Sequence, residues 1–306
     1  MSPEPTAATS PAAVAPTKTN ILIRRLFSTV VLWSAVIGTL VIGWPPGIFA
    51  FTAVAALVAL HEFYRLLEHG GLPCDRPAGM TLGVLFFATG LPILHHFGLV
   101  WTYEFELGFL SFALLALGIR QLACAEAPHP ASVSNIAHTF LGLLYVAWLM
   151  NFLAKIFVLG PVRLPSGLIP GVFFVLYLLM VTKFSDIGAY CVGSLIGRHK
   201  MIPRISPGKT WEGFGGALVA SALISVLLVF LFPEVLRPIT MAWAVPLGLG
   251  IGLAAVLGDL VESLIKRATG SKDSGMLFPG IGGMLDLIDS VLFTAPVLYL
   301  FLRLAG

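Results

Sequence analysis

The chain has 306 residues, 58% of them hydrophobic and 11% charged, with a formal net charge of +3. A soluble domain carries about a quarter charged residues, so this composition excludes one, and no polar stretch is long enough to bury a core of its own. The small net charge gives no ground for a nucleic-acid partner, and none is expected.

Residues 1–20, MSPEPTAATSPAAVAPTKTN, lack apolar periodicity and read as a disordered Pro/Ala-rich tail. They are not a cleavable signal, because Lys18, Arg24 and Arg25 lie well inside and the apolar run follows them. Apolar runs long enough to span recur near 26–43, 47–66, 78–98, 104–122, 135–155, 167–195, 213–232, 240–265 and 284–303. The fold class is an all-α polytopic integral membrane protein with about nine transmembrane helices, occupying 21–306. Pro45-Pro46 predicts a tight link between the first two spans. Lys183, Ser185 and Asp186 interrupt the sixth, which predicts a bend or break there.

Orientation follows from the basic residues. With a cytoplasmic N-terminus and nine spans, 14 of the 18 Lys and Arg fall inward, Lys183 near that side. Only Lys155, Arg163, Arg237 and Arg303 fall outward. The polar loops 196–212 and 266–283 then share the cytoplasmic face. Cys74, Cys124 and Cys191 are scattered, with no spacing for zinc or a redox pair.

Two stretches carry chemistry, both within 183–290. The first is Gly258 to Ser290, GDLVESLIKRATGSKDSGMLFPGIGGMLDLIDS. One charge at the centre of a bilayer helix costs roughly 2.5–3.5 kcal/mol, so so many ionisable groups beside apolar spans need a reason. Asp286 and Asp289 are three apart and share a helix face. Asp259, near the inner end of the eighth span, can converge with them if the last two spans pack side by side. Three carboxylates in a partly wet cavity suit Mg²⁺. Lys266, Arg267 and Lys272 supply cations that phosphoryl chemistry needs, or they are solvated loop charges. Gly280, Gly282 and Gly283 let backbone amides approach an anion at a helix start.

The second stretch, Lys183 to Gly213, reads KFSDIGAYCVGSLIGRHKMIPRISPGKTWEG. Gly193 and Gly197 permit close helix packing. Arg198, His199, Lys200 and Arg204 follow. Ser206-Pro207-Gly208-Lys209-Thr210 is a turn-forming run that can bind triphosphate oxygens through amides, hydroxyls and one ammonium. A basic loop of this kind also sets topology or meets anionic lipid heads. The glycine spacing is not that of a P-loop.

Together these residues resemble the phosphatidate cytidylyltransferases (CDP-diacylglycerol synthases). Ser263, Lys266, Arg267, Lys272, Asp273, Gly275, Pro279, Gly282, Gly283, Asp286 and Asp289 fall where that family's C-terminal signature has matching residues, with Gly258-Asp259 before them. Asp186, Ala189-Tyr190, Gly193, Gly197, Ser206-Pro207, Lys209-Thr210 and Glu212-Gly213 match upstream, and Glu62-Phe63-Tyr64 looks like the family's early acidic-aromatic segment. Two positions depart: Ile281 stands for a His and Leu287 for an Arg. Lys183, His199 and Arg204 are the basic residues that could stand in.

The resemblance implies a multi-pass enzyme of the bacterial cytoplasmic membrane, acting on its cytoplasmic side, with membrane lipids around it. Its reaction would join CTP and phosphatidic acid into CDP-diacylglycerol and pyrophosphate. Asp259, Asp286 and Asp289 would hold Mg²⁺, with room for a second, monovalent cation. Lys209, Lys266, Arg267 and Lys272 would bind the triphosphate and leaving pyrophosphate, with Asp273 beside them. Ser206, Thr210 and Ser263 would donate hydrogen bonds, Gly282 and Gly283 would offer amides, and Asp186 would be an accessory ligand. A homodimer in the membrane is compatible with the family. Three alternatives stand beside this: transfer to or phosphorylation of another membrane lipid, a catalytically inactive lipid-binding relative, and an ion-coupled transporter. A transporter's expected internal repeat is absent from the sequence.

Overall fold

The computed structural model describes residues 44–124, 129–160, 164, 167, 169–275, 277 and 282–305, with isolated positions 34, 38, 39 and 42. The expected tail at 1–20 lies outside the described residues, as does the first expected span apart from those isolated positions. Helix α1 covers Pro45–His69 and opens on Pro45-Pro46, where prolines cost no intrahelical hydrogen bond. Helix α2 covers Arg76–Cys124. Helix α3 (Pro130–Gly142), a π-helical turn (Leu143–Trp148) and α4 (Leu149–Leu159) follow one another without a loop. Helix α5 covers Pro170–Ile196. A short hairpin of β1 (Lys200–Ile202) and β2 (Ser206–Thr210) pairs Lys200 with Thr210 and Ile202 with Ser206. Helices α6 (Trp211–Leu231), α7 (Met241–Ala268) and α8 (Met284–Ala305) complete the bundle.

Among the described residues, seven helices are long and apolar enough to cross a membrane, not nine. Part of the difference lies in α2. Its 49 residues would reach about 70 Å as one rod, more than twice a bilayer core. The helix breaks at Gly98, whose φ of 78° and ψ of −170° no residue with a Cβ adopts comfortably. Beyond that break the chain turns back on itself, because Phe86 meets Phe105 and Phe109 at ring distances of 6.0 and 5.3 Å. The expected third and fourth spans are thus the two arms of a hairpin with no loop between them.

Helices α1, α4 and α8 form the interior. Ala55, Ala56 and Ala59 of α1 are fully enclosed, as are Ala154 of α4 and Leu292, Ala295 and Leu298 of α8. Small side chains let these backbones approach, which drives helix association where lipid removes any hydrophobic gain. Around this core, α5 meets α6 through Gly188 and Gly216. A Cβ on Gly188 would strike the Gly216 carbonyl.

Two expectations fail here for stated reasons. Helix α5 is continuous from Pro170 to Ile196. Its charged residues are accommodated without breaking the backbone ladder, since Lys183 pairs with Asp186 at 3.5 Å and donates to the Leu287 carbonyl at 3.1 Å, while the Ser185 hydroxyl is buried with no partner among the described residues. Lys155, expected outside, is 0% exposed within α4. Its ammonium donates to Glu106 at 2.7 Å and lies 4.0 Å from the centre of the Phe152 ring. The same carboxylate accepts from Trp148 Nε1 at 3.0 Å and Asn151 Nδ2 at 2.7 Å.

The polar segments gather at one end of the bundle. Arg120 pairs with Asp75. His138 Nδ1 lies 2.8 Å from the Pro73 carbonyl, and Thr139 Oγ1 accepts from the Asp75 amide at 2.8 Å. Gly70 packs directly on Thr269, and Arg267 reaches Ile205 of the β-hairpin turn. The described parts of the two polar loops, 196–212 and 266–275, therefore lie at one end of the bundle. Cys74 sits at this end beside Tyr64, and burial pushes its thiol up to about 11, so it is not a nucleophile at neutral pH.

Candidate active site

The last turns of α7 and the first of α8 lie side by side because Gly258 admits the α8 backbone. A Cβ there would sit 2.7 Å from the Asp289 carbonyl oxygen and 3.1 Å from the Ser290 Cα. Gly258→Ala should therefore push Asp289 out of place and lower turnover by about a hundredfold, the usual penalty of a misplaced reacting geometry. Initial rates measured on correctly folded protein check this, and an unchanged rate would show that the contact is slack.

Asp259, Glu262 and Asp289 offer carboxylate oxygens that all lie within 4.8 Å of one another. Two of the three expected ligands are thus together, and Glu262 joins them. Asp286 is turned to another task. It accepts from the Gly283 amide at 2.7 Å, the Ser274 amide at 3.0 Å and the Ser274 hydroxyl at 2.8 Å. Gly282 makes this latch with φ at 129°, a conformation that disfavours any side chain. Glu62, from α1, closes the same loop by accepting from the Leu285 amide at 2.8 Å.

Lys266 stands between the two assemblies. It pairs with Glu262 at 2.5 Å and with Asp286 at 2.8 Å. Lys209 reaches from β2 to Asp259 at 2.8 Å, and Ser263 donates to the same acid at 3.3 Å. Asp289 is only 6% exposed and has no ion-pair partner among the described residues. With Asp186 and its partner Lys183, which also act on Asp289, five acids share three ammonium groups. The excess of acids in a largely buried site is what a divalent cation would offset. Glu262 Oε1 is buried with no hydrogen-bond partner, a further free oxygen for such an ion.

Beside the cluster lies a cavity of about 450 Å³ between α5, β2, α6 and α7. Asp259 and Lys209 form its polar end, Asp186, Ser206 and Thr210 contribute to its wall, and Tyr190 and Phe214 line its apolar part. The glycine spacing noted in the sequence serves this region, since Gly193 faces Thr210 and Gly213 across the α5–α6 junction. Thr210 is committed to capping α6, its Oγ1 accepting from the Gly213 amide at 3.1 Å.

The remaining predicted residues are spread more widely. Arg267 donates to the carbonyls of Ile205 and Ser271, both at 3.3 Å, and so ties two loops together. Lys272 and Asp273 are exposed on the loop before α8. Of the proposed stand-ins, His199 is paired with Glu212 at 2.6 Å, whereas Lys183 arrives from α5 at the backbone of Leu287. Ile281 lies outside the described residues. Glu262 was not singled out from the sequence, although its three-residue spacing from Asp259 repeats that of Asp286 and Asp289.

The model of the cytidylyltransferase family matches residues 23–305. The chain belongs to this family. A phosphatidate cytidylyltransferase of Staphylococcus haemolyticus is 32% identical over 260 residues, covering 81% of this chain and 97% of that protein. One from Mycobacterium bovis is 31% identical over 272 residues, 83% of this chain and 80% of the relative. An Escherichia coli protein named uncharacterized protein YnbB is 40% identical over 171 residues, 56% of each chain, so the match spans little more than half of that relative.

Proposed function

We propose that this membrane protein transfers the cytidylyl group of CTP to phosphatidic acid. A phosphate oxygen of the lipid attacks the α-phosphorus of CTP. The bond from that phosphorus to the oxygen bridging it to the β-phosphate breaks, and pyrophosphate leaves. The observation that carries this is the carboxylate cluster opening, through Asp259, onto a cavity with a polar end formed by Asp259 and Lys209 and an apolar body. The names of the long relatives agree with it.

The lipid phosphate is already ionised at neutral pH, so no side chain need remove its proton. Catalysis is then positioning and charge neutralisation. Asp259, Glu262 and Asp289 would hold Mg²⁺, which when bound offsets charge on the reacting phosphates. Lys209 can leave Asp259 for a phosphate oxygen once that acid has a metal partner. Tyr190 and Phe214 offer the lipid a wall continuous with the hydrocarbon, and Tyr190, Leu195 and Ile196 are exposed on the outer surface of α5. Asp286 and Lys266 keep the glycine loop in place.

The chain would cross the bilayer nine times, each arm of the α2 hairpin crossing once and the segment at 26–43 adding another. The polar end would face the cytoplasm of a bacterial inner membrane, where CTP is found. The test is detergent-purified protein with phosphatidic acid, Mg²⁺ and CTP labelled at the α-phosphate. Label should enter a lipid-soluble product only with metal present. Folded protein that transfers no label would overturn the assignment.

A further inference from the structure

The π-helical turn at Leu143–Trp148 interrupts an otherwise regular helix inside the bundle. Such turns carry a residue more than an α-turn and re-aim the side chains they hold. The side chain at stake here is Tyr145, which is 7% exposed. Its ring is fixed between Phe63 and Phe293, at centroid distances of 5.7 and 6.3 Å. Its hydroxyl has no hydrogen-bond partner. An orphaned buried hydroxyl loses its hydration without compensation and calls for an explanation.

The surroundings supply one. Phe293 stands one turn beyond Asp289 in α8 and 3.2 Å from where a Cβ on Gly258 would sit, so Tyr145 packs at the α7–α8 junction that carries Asp259, Glu262 and Asp289, the three acids whose charges also act on its oxygen. Four buried side-chain polar atoms lack partners among the described residues. Two of them, Tyr145 Oη and Glu262 Oε1, belong to this one locus. A donor and an acceptor at one junction, both unspent and not bonded to each other, fit a hydrated ion between them: the carboxylate oxygen would ligate it and the hydroxyl would hold one of its oxygens.

We propose that Tyr145 is a positioning residue that donates a hydrogen bond to the oxygen shell of a divalent cation gathered by Asp259, Glu262 and Asp289. This rests on the metal-dependent function proposed above. The π-turn is the device that delivers the hydroxyl from a neighbouring helix. Tyr145 has no charge and lies more than a hundred residues from the acids, so no motif contains it.

The test uses the full chain in detergent and Mg²⁺ alone as the probe, read by thermal unfolding, with Mn²⁺ binding followed by electron paramagnetic resonance as a second measure. Tyr145→Phe should raise the half-saturating metal concentration about tenfold, the lower end of the cost of losing an outer contact to a metal site. Without metal its melting temperature should be unchanged or higher, because the variant removes an unpaired polar atom and keeps the ring. Turnover at saturating CTP should fall, and excess metal should partly restore it. An unchanged metal midpoint in Tyr145→Phe, with wild type clearly stabilised by Mg²⁺, overturns the role of Tyr145 alone. A lower melting temperature without metal, and no change in midpoint, marks the hydroxyl as structural and also overturns it. Wild-type protein that neither Mg²⁺ nor Mn²⁺ stabilises, with Asp289→Asn behaving identically, overturns the cation site itself and Tyr145 with it.

Discussion

Asp289→Asn is expected to lower cytidylyl transfer by about a thousandfold, the upper range for losing one preorganised electrostatic group, while the bundle stays folded. The side chain keeps its shape and loses one charge. Asp289 is buried beside two other carboxylates and has no ion-pair partner among the described residues, so in the metal-free protein its charge is a burden. Removing it should leave the metal-free melting temperature unchanged or raise it. The loss should appear in turnover and in metal-dependent stabilisation together. Near-normal activity in the variant would mean that Asp289 holds no cation. Loss of activity with unchanged metal stabilisation would move the ion elsewhere in the cluster.

The largest stability effect should arise far from this site. Lys155→Met leaves Glu106 charged in the interior without its ammonium. Breaking a buried pair from one side costs about 3–5 kcal/mol. The double replacement Lys155→Met with Glu106→Gln should recover most of that, because Gln carries no charge and keeps an oxygen for Trp148, while its amide can bond the Asn151 oxygen once that side chain turns over. Thermal unfolding of Lys155→Met, Glu106→Gln and the double variant measures the coupling. Equal melting temperatures for Lys155→Met and the double variant would show that lost packing of the lysine stem, not the stranded Glu106 charge, sets the cost. Turnover should track folded fraction in every case, since this network is on the far half of the bundle from the carboxylates.

Much of the architecture was open to sequence reasoning because membrane crossing needs only length and apolarity. Expected spans at 213–232, 240–265 and 284–303 lie within a few residues of α6, α7 and α8. The two arms of the α2 hairpin were legible in the same way, as the expected spans 78–98 and 104–122, but the lack of a loop between them was not. It rests on one backbone angle at Gly98, and a glycine in an apolar run carries no polarity signal. Lys155 misled for a related reason. Its partner Glu106 is far away in sequence, and hydropathy cannot distinguish a buried pair from two loop charges. At the site, the spacing of Asp286 and Asp289 put both on one helix face correctly, yet the start of α8 draws Asp286 onto the glycine loop. Which acid of α7 joins Asp289 depends on how α7 and α8 pack, and spacing along either helix does not give that. Arg267 and Lys272 were singled out for their charge and their place in the family signature, and the structure gives Arg267 carbonyl partners and leaves Lys272 exposed on the loop.

Lys266 has a consequence for how this protein can change. One ammonium serves Glu262 in the cluster and Asp286 in the loop latch, so the two assemblies share a counter-ion. Substitutions at these three positions will not behave as independent events, because groups in one ionic network couple by amounts comparable to the single effects. A neutral residue at Lys266 strands two acids at once, and repairing either alone leaves the other exposed to the same imbalance. Drift toward a new substrate can begin at Tyr190 or Phe214 on the cavity wall. At Lys266 it has to proceed by concerted replacement, because one substitution there unsettles both assemblies.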